Sequence, residues 1–181
     1  MIWKSIFRGL ISCITLFIFH HSGQAQVEFS GEAIAEGFVS EEALPFWFYS
    51  NRRGRINQET SIATWAHFKG IYELTGNAEI EVGAGVLYQD AARYDNLDID
   101  EAYIQLKNSW LRISAGIKQH DELYAGLSGT NGNMIWSLNA KPLPGIELST
   151  IHPIYFLFDK HLGISGTWGE FWMNFDTDRF V

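Results

Sequence analysis

The sequence predicts an all-β chain, an antiparallel transmembrane β-barrel. Three observations carry that prediction: strands with two chemically distinct faces, strand runs of ten residues or more, and an N-terminal export signal. Residues 78 to 88 show the first most clearly. Ala78, Ile80, Val82, Ala84, Val86 and Tyr88 are apolar, while Glu79, Glu81, Gly83 and Gly85 are charged or small. A period of two sends those sets to opposite faces of one strand. A strand with lipid on one side and a polar lumen on the other has that chemistry.

Residues 1–25 read as a signal peptide. Lys4 and Arg8 form a positive n-region, Leu10 to Phe19 an apolar h-region, and Gly23-Gln24-Ala25 a small-residue cleavage site before Gln26. The h-region is too short to span a bilayer, which takes about 20 apolar residues. Leu10-Ile11-Ser12-Cys13 has the look of a lipoprotein box. The apolar run continues to Phe19, however, so a cut at Cys13 would divide its own h-region, and ordinary cleavage is favoured. The mature chain, residues 26–181, then has no cysteine, which removes disulfides and thiolate chemistry.

The full chain has 13 basic and 21 acidic residues, net −8. Without Lys4 and Arg8, 11 basic residues remain against the same 21 acidic ones, net −10. That balance excludes nucleic acid as a partner, because its binders need clustered Lys and Arg. Hydrophobic content of 46% with no second long apolar run excludes a helical-bundle membrane protein. It leaves a barrel open, since only alternate residues of a barrel strand face lipid.

In order along the chain, Val27 to Gly37 alternates Val, Phe, Gly, Ala, Ala, Gly with Glu28, Ser30, Glu32 and Glu36, interrupted by Ile34. Next comes Leu44-Pro45-Phe46-Trp47-Phe48-Tyr49 and a polar stretch to Gly54, which is consistent with either a helical or an extended state. Ile62 to Leu74 forms a strand whose exceptions are Trp65 and Ile71. A tight turn at Thr75-Gly76-Asn77 leads into the opening strand. Both strands are long enough to cross a bilayer when tilted, against about five or six residues for an average soluble strand.

Gln89 to Asp98 is a polar loop. A second hairpin runs from Ile99 to Lys107 and Trp110 to Lys118, turning at Asn108-Ser109. Residues 119–144 are rich in turn formers and break the rhythm. Gly145 to Phe158 is strand-like, and Leu162 to Phe175 reads as a hairpin turning near Thr167-Trp168-Gly169. The total is roughly eight strands in one domain, residues 26–181.

Chemistry-bearing motifs are few. Asn96-Leu97-Asp98-Ile99-Asp100 alternates oxygen ligands as a calcium loop does. It lacks the loop glycine and the terminal glutamate, so acidic residues at a strand start are the simpler reading. The histidines lack metal-ligand spacing. Gly163-Ile164-Ser165-Gly166 has Thr167 where a nucleophile elbow needs glycine. Glu79 and Glu81 share one strand face without the opposed geometry of a glycosidase pair. The expectation is no enzyme, no cofactor and no metal. Tyr94, Tyr124 and Trp136, with Asn131 and Asn133, sit in polar loops, the residue mix that stacks on sugar rings and hydrogen-bonds hydroxyls. Loop packing is the competing role for Trp136. Trp65, Trp110 and Trp168 are expected in an interfacial aromatic girdle.

The Leu44-Pro45-Phe46-Trp47 patch with Asn51 and Gly54, the Asp100-Glu101-Ala102-Tyr103-Ile104-Gln105-Leu106 strand, and the block from Gly126-Leu127-Ser128 through Asn131-Gly132-Asn133 to Asn139–Gly145 together resemble the Wzi-type capsule-assembly proteins. The likeness is to the version encoded by Bacteroidetes-like bacteria and covers most of residues 27–180. It implies an eighteen-stranded outer-membrane barrel with an occluded interior, and a lectin-like role tethering capsular polysaccharide at the outer membrane. Its partners would be that polysaccharide and outer-membrane lipid. Because those proteins are considerably longer, the resemblance also implies that this chain is an N-terminal portion, truncated at its C-terminal end. Two other functions fit an exported β-chain of this kind: a sugar-permeable porin-like barrel and a soluble periplasmic carbohydrate-binding β-sandwich.

Overall fold

The structure, a computed structural model, describes residues 27–40, 43–74, 76–91, 96–122, 138–156 and 162–172. It is all-β. Seven antiparallel strands form one sheet: β1 (Val27–Gly37), β2 (Ile62–Leu74), β3 (Ala78–Gln89), β4 (Leu97–Lys107), β5 (Leu111–Ile117), β6 (Gly145–Thr150) and β9 (Thr167–Phe171). A two-stranded ribbon, β7 (Ile154–Tyr155) with β8 (Gly163–Ile164), extends the β6/β9 hairpin. The only described helix is the single turn α1 (Phe46–Tyr49), which resolves the undecided state of that segment. The sheet is a meander with β1 and β9 at its two edges, and it is not closed into a barrel.

The two faces follow the alternation, with their burial inverted relative to a water-soluble sheet. On β3, Val82 and Val86 are 50% and 51% exposed, while Glu81 is 8% exposed. On β4, Ile104 is 53% exposed and Gln105 only 4%. The apolar set lies on the uncovered face and the polar set on the inner one. Phe29 on β1 stacks on Phe68 of β2 on the apolar face, ring centroids 5.6 Å apart. A soluble antiparallel sheet buries its apolar face and wets the other.

The connections are asymmetric. β2 and β3 are joined through residues 75–77, where Gly76 and Asn77 take positive φ. β4 and β5 are joined through Asn108, whose Oδ1 accepts from the backbone N–H groups of Trp110 and Leu111. At the opposite end lie the long connections 38–61, 90–96 and 118–144.

One of these connections supplies the apolar core. Residues 44–60 turn inward over the polar face, where Leu44 and Ile56 pack with Ala63, Trp65 and Leu87, flanked by Ile34, Phe38 and Tyr49. The exceptions to the alternation explain where this happens. Ile34 pairs with Trp65, and Trp65 pairs with Leu87, so three apolar residues form one cross-strand row on an otherwise polar face. Burying that row drives the docking of the connection.

Two expectations are corrected. Trp65 is not in a girdle: it is 5% exposed, beneath the inward connection, because its side of β2 is the inner one. Trp110 and Trp168 are exposed. Thr167-Trp168-Gly169 is not a turn but part of β9, paired with Ser149, Leu148 and Glu147. The strand-like stretch after Gly145 bends at Ile151–Pro153, and the reversal falls between β7 and β8. Pro153 has no N–H to offer a ladder.

Candidate functional site

The inner face holds a groove of about 740 Å³ lined from β1 through residue 122. Its basic and acidic lining side chains are five each, and the charges meet in pairs. Lys107 Nζ lies 2.9 Å from Glu79 Oε1, and Lys118 Nζ 3.2 Å from Glu81 Oε1. His67 Nε2 lies 3.0 Å from Glu32 Oε2, and Arg112 Nη1 3.3 Å from Asp121 Oδ2. Alternation puts these residues on one face, and cross-strand register brings opposite charges together. Glu79 and Glu81, which a hydrolase would need as an opposed pair, are each held by a lysine instead.

Tyr103 organises the centre. Its ring lies over Gly83 on the neighbouring strand, so close that a Cβ on Gly83 would fall 2.3 Å from the ring. Its hydroxyl donates to Glu81 Oε1 at 2.7 Å, and Lys118 Nζ stands 4.1 Å from the ring centroid. Glycine is needed at 83 because the aromatic ring takes the space of a side chain.

At the long-connection end, β3 and β4 slip register. Gly85 pairs with Glu101 and Val86 with Ile99, leaving Asp100 as the extra residue of a β-bulge. The bulge turns Asp100 inward, where it is 2% exposed. Arg55, from the inward connection, binds it through Nη2 at 2.6 Å and Nε at 3.1 and 3.2 Å. Gln119 Nε2 adds a third donor at 3.3 Å. Arg55 also stacks over the Trp65 ring at 5.1 Å. Asp98 is bound by Lys141 at 2.8 Å. The carboxylates of the calcium-loop reading are therefore engaged by cations of the chain itself. Among the described residues no group of three His, Asp or Glu side chains is placed to hold a metal.

The same corner gathers the segments that carry the family resemblance. The Asn51 N–H donates to Asn139 Oδ1, and the Arg53 N–H to the Leu138 carbonyl. Gly54, at φ 69°, lies against Lys141, where a Cβ would meet the Lys141 nitrogen at 2.9 Å. Residues 51–55, 98–101 and 138–141 thus interlock, although they are far apart in sequence.

His120, after β5, is held below the ordinary imidazole range. Burial is the largest cause, aided by Lys118 and Arg112 and opposed by Glu147 and Asp121.

The sugar-contact candidates Tyr94, Tyr124, Asn131, Asn133 and Trp136 lie outside the described residues, as does the signal segment. Arg55, Tyr103 and Gln119 escaped sequence reasoning as site residues. Tyr103 had one usable signal: an aromatic residue in an inner-face register position. No family model, curated protein or solved structure matches the chain.

Proposed function

We propose that the chain belongs to an outer-membrane β-barrel that binds or anchors capsular polysaccharide at the cell surface and supports capsule assembly. It acts by binding, without catalysis, cofactor or metal. The observation that supports the membrane part best is the inverted polarity of the sheet, because an apolar face uncovered among the described residues over strands of 11 to 13 residues is suited to lipid as its solvent. Three long connections leave one strand end, while the other holds two short turns and the β7–β8 ribbon, a partial match to barrel architecture. The polysaccharide part is supported by the capsule-assembly likeness, three of whose motif segments pack into one corner. Tyr94, Tyr124, Asn131, Asn133 and Trp136 are the proposed loop contacts.

Deletion of the gene from an encapsulated host tests this reading. Capsular polysaccharide should move from the cell surface into the medium, and Trp136→Ala should give a partial release. A deletion strain with full surface capsule would refute the proposal.

The open groove gives weight to one alternative, a sugar-permeable barrel. Steady single-channel conductance in planar bilayers would favour transport over anchoring. The soluble β-sandwich has less support: among the described residues no second sheet covers the apolar face.

A further inference from the structure

The β6–β9 hairpin is too short to cross a membrane on its own. A tilted strand needs about 9–11 residues to span the bilayer, but β6 has six and β9 five. A strand in lipid cannot stop halfway, because no water is there to satisfy the backbone groups that follow it. The β7–β8 ribbon supplies the missing length. Gly145 through Tyr155 and Gly163 through Phe171 both reach a spanning length.

The chemistry of the ribbon fits that role. Ile154 pairs with Ile164, and the Phe156 N–H donates to the Leu162 carbonyl at 3.0 Å. Counting in twos from Trp168 leads through Gly166 to Ile164 and Leu162, so both pairs continue the apolar face of the sheet. All four side chains are exposed. Three backbone donors at the bend are matched: the Thr150 N–H by the Gly166 carbonyl at 3.0 Å, the Gly166 N–H by Thr150 Oγ1 at 2.9 Å, and the Ile151 N–H by the Trp110 carbonyl at 2.8 Å. Pro153 has none to satisfy. Between Glu147 and Glu170 the sequence carries no Asp, Glu, Lys or Arg apart from the adjacent Asp159 and Lys160.

Glu170 sets the depth. Barrel strands tilt by about 35–45°, so a row of paired residues does not stay at one depth. The row Val82, Ile104, Ala115, Ile146 is apolar from β3 to β6 and ends at Glu170 on β9. An exposed carboxylate on the outer face belongs at the edge of a lipid band, not inside it. On β9 the band therefore starts near Trp168 and runs away from Glu170, toward the ribbon.

We infer that the β7–β8 ribbon lies in the bilayer and completes one bent, membrane-crossing hairpin with β6 and β9. Ile154, Phe156, Leu162 and Ile164 face lipid acyl chains. This rests on the outer-membrane reading above and extends the lipid contact to a segment outside the main sheet.

Spin labelling of the full-length protein in phosphatidylcholine vesicles tests the assignment. Single cysteines are placed by Ile104→Cys, Ile164→Cys and Glu170→Cys in a Cys13→Ser background. Oxygen, which partitions into lipid, and a nickel chelate, which stays in water, compete to relax each label. The label at 164 should show the oxygen preference of the label at 104, and the label at 170 should have lost it. Ile154→Cys serves if Ile164→Cys fails to fold. Chelate preference on the ribbon with oxygen preference at 104 would overturn the inference and leave the membrane reading standing, with the ribbon in water as a face for a protein partner. Oxygen preference at 170 would overturn the depth assigned to the hairpin. Chelate preference at 104 as well as 164 would count against the membrane reading itself and remove the inference with it.

Discussion

Arg55 and Asp100, 45 positions apart in the chain, form a buried ion pair in which two guanidinium nitrogens hold one carboxylate. The bulge that turns Asp100 inward and the connection that carries Arg55 serve the same contact. Stacking of the guanidinium over Trp65 ties the pair to the apolar row beneath it.

Removing one partner leaves the other charge buried and uncompensated, which costs about 3–5 kcal/mol. Asp100→Ala and Arg55→Ala should each lower unfolding stability by about that amount, measured by urea titration in micelles. The double variant should lose clearly less than the two single losses combined, as coupled neighbours do. Additive losses would mean that the two side chains act independently.

Ile104 separates the membrane reading from a soluble one. On a lipid-facing strand, Ile104→Arg should destabilise by about 2–4 kcal/mol near the bilayer midplane. On a water-exposed face the same change would stay within about 0.5 kcal/mol. Folding titrations in phospholipid vesicles give the answer.

At Gly83 a methyl group would collide with the Tyr103 ring. Overpacking of this kind costs about 1–3 kcal/mol, and Gly83→Ala should show it. Tyr103→Ala in the same chain should remove the added cost, so a double-mutant cycle has a large coupling. A coupling near zero would show that the ring yields freely.

Acidification should act through His120. Its folded value lies below the ordinary 6.5, so the folded state prefers the neutral ring. The stability it contributes is fully present above about 6.5 and is lost as pH falls through the lower folded value. NMR of the imidazole Hε1 against pH should place the midpoint below 6.5. A midpoint at or above it would contradict the burial of the ring.

Much of the sheet was legible in the residue pattern. Alternation on β2, β3 and β4 located the strands and sorted their faces, because a period of two is read directly from the chain. Even the misfits were informative. Ile34 and Trp65 broke the pattern, and they meet each other and Leu87 in the row that the inward connection covers. What was hidden depends on pairing between distant segments. The bulge at Asp100 is a matter of register between β3 and β4, and the Arg55–Asp100 contact needs a long connection to fold back. Thr167-Trp168-Gly169 reads as a turn from local propensity, yet pairing with β6 overrides it.

The inverted sheet also bears on how such a chain travels. Its hydrophobicity is spread over alternate positions, so no unpaired strand holds the roughly 20 consecutive apolar residues that would halt it in a bilayer as a helix. Among the described residues no helix is long and apolar enough to cross a membrane. The oily surface comes into being only when neighbouring strands align and their scattered Val, Ile, Leu and Phe side chains merge into one band. On the proposed membrane reading, insertion and pairing would then be one event, the solvent the sheet prefers changing from water to lipid as its hydrogen bonds form.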